Sequence, residues 1–470
     1  MNPSSVPQMG GRGMSRQKQV DLGQGSVRKL LFRLSVPTIT SQIVNLLYSV
    51  VDRIFIGHMA PAETVGKLAL TGVGVCIPII LVISAFASLL AAGGAPRASI
   101  SEGRGDSSTA EEILGNSCSL LLIASVILTV FLLLFAEPLL LCFGASENTV
   151  GYAVDYIRIY ALGTVFVQMT LGMNAYITAQ GFTTISMKTV VIGAVLNIVL
   201  DPLFIFGLDM GVQGAALATV LSQAVSCLWV LRFLTGPSTR WRLRRECLRI
   251  REEIALPSVA LGAAPFIMQS TESIIAVCFN ASLLQYGGDL AVGAMTVLTS
   301  LMGFTMMPIQ GLGQGAQPII SYNFGARNRS RVQDAFRCLL ISSVAFSMVF
   351  WLLVQLVPRA FIVLFNSDPV LVEYGAWALR IYMGSMGLFG IQVACQQTFM
   401  ALGNAKTSLF LAILRKIILL VPLIYILPNF FADKAFAVFL AEPVADALAV
   451  TTTAIMFWFQ FRTAMADLEN

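Results

Sequence analysis

Asp52 and Asp201 are the residues of this 470-residue chain with the most chemistry to offer, because each interrupts or ends a long apolar run. A carboxylate at the centre of a bilayer costs about 2.5 to 3.5 kcal/mol on insertion scales, so selection for stability alone would remove it. Gln42, Asn45, Ser49 and Asp52 follow i, i+3, i+7, i+10, which puts them on one helical face opposite Ile, Val and Leu. Such a stripe can serve packing alone; ending in an ionisable group favours function. Asn197 and Asp201, spaced i, i+4, share a second face. Tyr156, Thr170 and Asn174 lie in the polar register of another helix, and Thr219, Ser222 and Gln223 in that of a fourth. If these faces converge, two carboxylates and several neutral oxygens stand away from bulk water. Two such acids titrate as a coupled pair and can hold one shared proton near neutral pH. Na⁺ can replace that proton, since carboxylate and amide oxygens suit a hard cation. The residue types leave both ions open, with no cofactor expected beyond the coupling ion and no metal site beyond Na⁺ at Asp52 and Asp201.

A second group of charges lies in the other half of the chain. Glu272 stands at the same distance after Pro257 as Asp52 does after Pro37, and so is the repeat-equivalent carboxylate; Asp201 falls opposite an apolar position near Val421. The asymmetry suggests an ion site in the first half and a countercharge for a cationic substrate in the second. Arg415 and Lys416, with Glu442 and Asp446 at i, i+4, read as mutually compensating charges, and an ion pair joining adjacent helices is at least as good a reading as a substrate role. Gln42, Asn45, Gln269, Gln392 and Gln396 are candidates to line a cavity with Glu272, as is Gln397.

The elements that must position these groups are membrane helices. The chain is 56% hydrophobic and 12% charged, where soluble domains average about 25% charged, and its mean hydropathy is +0.79. Uncharged runs occupy 34–51, 68–96, 113–136, 159–187, 210–231, 290–326, 338–358 and 381–405. A helix needs about 20 apolar residues to cross a bilayer. Adding the runs around Asp201, Glu272, Arg415/Lys416 and Glu442/Asp446 gives about twelve spans, an all-α polytopic membrane protein with little chain left for a soluble domain. A β-barrel would show short alternating segments instead. Eight scattered cysteines without a CxxC pair argue against a disulfide or metal framework.

Two halves match at nearly one offset. Tyr-Ile-Arg-Ile-Tyr (156–160) aligns with Ala-Leu-Arg-Ile-Tyr (378–382), Ala-Gln-Gly (179–181) with Ala-Leu-Gly (401–403), and Leu-Ser-Val-Pro (34–37) with Ile-Ala-Leu-Pro (254–257). Three matches, in order and in near-constant register, indicate a duplication. Six spans per half make the repeats parallel, related by an axis along the membrane normal. The expected organisation is a polar basic tail over 1–33, a first lobe over 34–235, a basic linker over 236–253, a second lobe over 254–462 and a short tail over 463–470. Of 30 Lys and Arg, 22 fall on the side of the tail, which predicts a plasma-membrane (bacterial inner-membrane) protein with both termini cytoplasmic.

No GxxxxGK[ST], GxSxG or Asp-Phe-Gly occurs, and His58 is the only histidine. ATP hydrolysis by a P-loop, kinase chemistry and HExxH proteolysis are therefore set aside, and an intramembrane enzyme would need a nucleophile with its base or a metal cluster. A receptor or scaffold would not need inward carboxylates. Work must come from an ion gradient.

At this point the motifs carry a resemblance. Val-Asp-Arg-Ile-Phe-Ile-Gly (51–57), Leu-Asn-Ile-Val-Leu-Asp-Pro-Leu-Phe-Ile-Phe-Gly (196–207) and Gly-Val-Gln-Gly-Ala-Ala-Leu-Ala-Thr (211–219) make the chain, from residue 34 to about 462, similar to the bacterial multidrug and toxic compound extrusion (MATE) transporters. The resemblance implies a V-shaped exporter of two six-helix lobes. Such a protein expels lipophilic, often cationic compounds in exchange for H⁺ or Na⁺ and is not an enzyme. It implies that Asp52, Tyr156, Asn174, Asn197, Asp201 and Thr219 form the first-lobe cation and proton site. Glu272 matches an acid used in some branches, whereas the aspartate that accompanies it in one branch has no counterpart in 381–405. The expected partners are small lipophilic or cationic molecules and membrane lipids, not nucleic acid, and a monomer is expected to suffice. The competing reading is a flippase for lipid-linked precursors on a related two-lobe plan, which would need arginines in its cavity.

Overall fold

The computed structural model describes residues 21–59, 65–365 and 368–468. Their regular structure is helical throughout: α1 (Val27–Gly57), α2 (Lys67–Ala91), α3 (Gly94–Gly103), α4 (Ser107–Cys142), α5 (Val150–Leu162), α6 (Thr164–Ala179), α7 (Thr183–Pro202), α8 (Gly211–Thr235), α9 (Glu252–Gly325), α10 (Arg329–Leu356), α11 (Pro358–Val363), α12 (Pro369–Tyr382), α13 (Phe389–Ala401), α14 (Ala405–Ile413), α15 (Val421–Ile426) and α16 (Lys434–Ala466). Among the described residues nine helices are long and apolar enough to cross a membrane, and the bent pairs α5–α6 and α12–α13 raise the number to eleven. The twelfth comes from α9. At 1.5 Å per residue its 74 residues would reach about 110 Å, against a hydrocarbon core of about 30 Å. A break at Gly288, with φ 65°, divides it into two spans. Ile127, Leu134, Val349 and Trp458 are 62%, 69%, 61% and 62% exposed on the outer surface, a disposition suited to lipid rather than water.

The duplication is visible in local geometry. Gly181 and Gly403, which are repeat partners, both turn with positive φ, 85° and 77°, a conformation that disfavours any Cβ. Asp106 and Asn328, in the same register, cap α4 and α10 by accepting from the amides of Thr109 and Arg331. The fourth span bends by 58° and the tenth by 43°. Gly163 forms the first bend, where a Cβ would lie 2.4 Å from Val220, and Gly384 falls in the other.

The lobes are clasped at the end of the bundle that carries both termini. Thr38 donates to the carbonyl of Gly311 (2.6 Å) and Gln269 to Ser88 Oγ (2.8 Å). Arg97 donates to the carbonyl of Ile254 (2.7 Å) and to Ser258 Oγ (2.6 Å). Gly103 and Gly325, another pair of repeat partners, face each other's lobe reciprocally: a Cβ on either would meet the carbonyl oxygen of Tyr322 or Ile100 at 2.0 Å. On the far side of Gln42, which donates to Gln314 at 3.3 Å, and of Gln269, no hydrogen bond or ion pair joins the lobes among the described residues; this unbonded stretch between the lobes is the cleft.

One expectation needs correction. Val27–Gly57 is one helix, so the tail cannot extend to residue 33; its stretch 1–20 lies outside the described residues. Leu22 is already buried, its carbonyl held by Asn323 (2.9 Å) and Arg331 (3.1 Å) of the second lobe. Apolar Leu22, Leu30 and Leu31 give this stretch something to bury, despite the glycines and charges around it. The basic linker is docked on the first lobe. Trp241 is buried and donates to Glu102 at 3.0 Å, Gln180 Oε1 accepts from Thr239 and two backbone amides, and Arg244 pairs with Glu111 at 3.0 Å.

Candidate functional site

Five elements of the first lobe carry the residues expected to form the cation site. α1 brings Asp52, α5 Tyr156, α6 Asn174, α7 Asn197 and Asp201, and α8 Thr219. Asp201 precedes Pro202 and a five-residue π-helical turn, Leu203–Gly207, a wide turn frequent at functional positions. Asp201 is 0% and Asn197 2% exposed. The Asn197 amide donates to Asp201 Oδ1 at 3.1 Å and to Thr219 Oγ1 at 3.4 Å, so the i, i+4 pair read from the sequence is a bonded pair. Asn174 donates to the carbonyl of Ser186 at 3.4 Å. Asp52 acts electrostatically on both Asp201 and Tyr156, and the Tyr156 hydroxyl lies against Thr219. α1 packs along α7, which is what brings the two carboxylates together.

The site is defined by what its oxygens lack. Asp52 Oδ1, Asp201 Oδ2, Asn174 Oδ1 and Asn197 Oδ1 are buried acceptors with no donor, and among the described residues no Lys or Arg pairs with either aspartate. Buried acceptors are ordinarily satisfied, so the donor set suits a proton shared between carboxylates or a hard cation bound by oxygen. Tyr48, one turn before Asp52 and within its field, also belongs here. Its spacing of four from Asp52 was the available signal.

The second lobe treats its acids differently. Arg415 Nε donates to Asp446 at 2.6 Å and its NH2 to Glu442 at 3.5 Å, while Lys416 Nζ meets Glu272 at 2.8 Å. Arg415 also stacks 4.4 Å over Phe389, and Tyr382 feels all three acids. The two consecutive basic residues lie on the π-helical segment Leu414–Leu420, and both are buried. The side chains of Arg415, Lys416, Glu442 and Asp446 are at most 7% exposed, whereas that of Glu272 is 53% exposed. Glu272 stands one turn beyond Gln269, which touches the first lobe, so its exposed side faces the cleft. The compensating ion pairs are therefore present, and they include Glu272, which a reading by local spacing could not join to Lys416.

Of the other cavity candidates, Gln42 and Gln269 close the clasped end of the cleft, and Asn45 shares the helical face of Gln42. Gln392 and Gln396 do not reach the cleft. Gln392 donates to Gln396 Oε1 at 3.4 Å and Gln396 to the carbonyl of Ser408 at 3.3 Å, both buried within the second lobe. The Gln396 amide holds α13 to α14, and Gln397 packs on Gly313. Thr170 bonds the carbonyl of Gln223 at 3.2 Å; with Ser222 these groups lie beside the aspartate site as interior packing between α6 and α8.

Comparison with known proteins gives a consistent result. The family model MatE matches residues 37–203 and 264–426, one segment per lobe. The chain is 26% identical to the multidrug export protein MepA of Staphylococcus haemolyticus, covering 91% of this chain and 93% of that one. It is 24% identical to MepA of Staphylococcus aureus, covering 86% and 88%. Among solved structures it is similar to the MATE multidrug transporter DinF-BH, at 34% identity and TM-score 0.86 over 96% of this chain and 99% of that one. The outward-facing conformation of a multidrug resistance MATE family transporter superposes with TM-score 0.87 at 24% identity, over 97% and 100%.

Proposed function

This chain belongs to the MatE family of membrane transporters, and from that premise we propose that it is a secondary active exporter of lipophilic, cationic compounds, driven by exchange for H⁺ or Na⁺. The observation that carries the reading is the carboxylate pair Asp52 and Asp201, each with one buried oxygen that has no donor and neither with a basic partner among the described residues, with the orphan oxygens of Asn174 and Asn197 beside it. A small cation bound there neutralises the pair and changes the relative stability of the two facings of the cleft, which is the requirement for coupling. The clasped end is taken as cytoplasmic, consistent with the distribution of Lys and Arg. One chain carries both lobes and the cleft, so the monomer is the transporting unit.

A flippase for anionic lipid-linked precursors is disfavoured, since Arg415 and Lys416, the cations it would recruit, are each paired to carboxylates. The test is efflux of a fluorescent lipophilic cation from proteoliposomes with either a pH or a Na⁺ gradient imposed. Efflux that follows one gradient and is lost in Asp52→Asn supports the proposal; efflux indifferent to both gradients overturns it.

A further inference from the structure

The five charges gathered around Arg415 and Lys416 do not balance. Glu272, Glu442 and Asp446 face Arg415 and Lys416, three acids against two bases, and the pairing is uneven. Asp446 takes Arg415 at 2.6 Å and Glu272 takes Lys416 at 2.8 Å, while among the described residues Glu442 has only the far side of Arg415 at 3.5 Å. The member with the weakest partner is 3% exposed, and the member open to the cleft, Glu272, is the one covered by a flexible ammonium. A buried carboxylate without a full countercharge is costly, and Glu442 lies within the field of Lys416.

We propose that Lys416 is a tethered stand-in for the cargo. It occupies Glu272 while the cleft is empty and moves to Glu442 when the cationic group of a substrate takes its place. After the exchange, substrate and Glu272, Lys416 and Glu442, and Arg415 and Asp446 form three pairs, and the network is neutral. Lysine suits this role because its ammonium is a compact charge on a long flexible stem, whereas the planar fork of Arg415, stacked on Phe389, is fixed. The site accordingly selects monocations: a neutral compound leaves Glu442 poorly paired, and a dication leaves a surplus positive charge. The inference rests on the export of cations proposed above but not on the coupling ion.

The experiment is equilibrium binding of tetraphenylphosphonium to the purified, full-length transporter with no gradient. Lys416→Met removes the competitor, so affinity should rise on the order of tenfold. Glu442→Gln removes the second resting place of Lys416, so affinity should fall by a similar factor. The two effects must not add: with Lys416 absent, Glu442→Gln should no longer matter. Simple field effects of two lost charges would instead add, and additive changes would overturn the exchange, as would unchanged or weakened binding in Lys416→Met. Absence of saturable binding to the unaltered protein would overturn both this inference and the proposed export of cations.

Discussion

Two lobes built from one duplicated plan handle buried acid in opposite ways. The first lobe surrounds Asp52 and Asp201 with amides and hydroxyls and leaves acceptor oxygens open. The second sets Asp446, Glu442 and Glu272 against Arg415 and Lys416. An acid with no resident base is free to take a small cation from solution. An acid with a resident base holds shape and field, and gives it up only to another cation. On the function proposed above, the comparison separates the group that would load the driving ion from the group that would present charge to the cleft, and it can be broken at several points.

The largest effect is expected at the first lobe. Asp201→Asn should reduce gradient-driven efflux on the order of 100-fold while leaving the folded protein as stable as before or more so, because it removes an unpaired buried acid. Efflux assays paired with thermal unfolding in detergent check both halves. The mirror-image experiment is Arg415→Met, which strands Asp446 and Glu442 and should cost about 3 to 5 kcal/mol of stability, read as a large fall in unfolding temperature. If Asp201→Asn destabilised as much as Arg415→Met, the contrast between the lobes would be lost.

A smaller effect is expected at the clasp. Gly325→Ala places a Cβ 2.0 Å from the carbonyl oxygen of Ile100, closer than any real contact, so the lobes must part at that end. Spin-label distances across the clasped end should lengthen in a larger share of molecules, and Gly103→Ala should do the same by the pseudo-twofold.

The smallest effect concerns the repeat-equivalent caps. Asp106→Ala and Asn328→Ala should each cost about 1 kcal/mol, the usual cost of a lost cap. Hydrogen bonds from Thr109 hold the Asp106 carboxyl below its ordinary value. Its contribution is therefore full above the unfolded value, near 3.8, and is lost as pH falls through the lower folded one. The cap at Asn328 should show no such dependence, as unfolding curves of the two variants between neutral and acid pH would reveal.

Much of the first-lobe site was legible in the sequence because its signals are local: a polar stripe ending in Asp52, and Asn197 and Asp201 one turn apart. The duplication was legible because tight turns constrain composition, as at Gly181 and Gly403. What escaped has no local signature. Glu272 and Lys416 lie on helices far apart in the chain, and nothing in the spacing of either names the other. Gln392 and Gln396 carried the right polarity for a cavity, but helix spacing does not say whether a polar face meets the cleft or a neighbouring helix. The π-helical segments and the bends at Gly163 and Gly384 alter the helical period itself, so an argument from period passes over them. Leu22 was hidden by its polar surroundings.

The central claim is that the Asp52 and Asp201 pair carries the driving cation. It is tested most directly by recording H⁺ and Na⁺ flux together in proteoliposomes while a lipophilic cation is transported, for the unaltered protein and for Asp52→Asn and Asp201→Asn. One of the two ions should move opposite to the substrate in the unaltered protein, and neither should move in the variants. Undiminished counterflow in either variant would contradict the account.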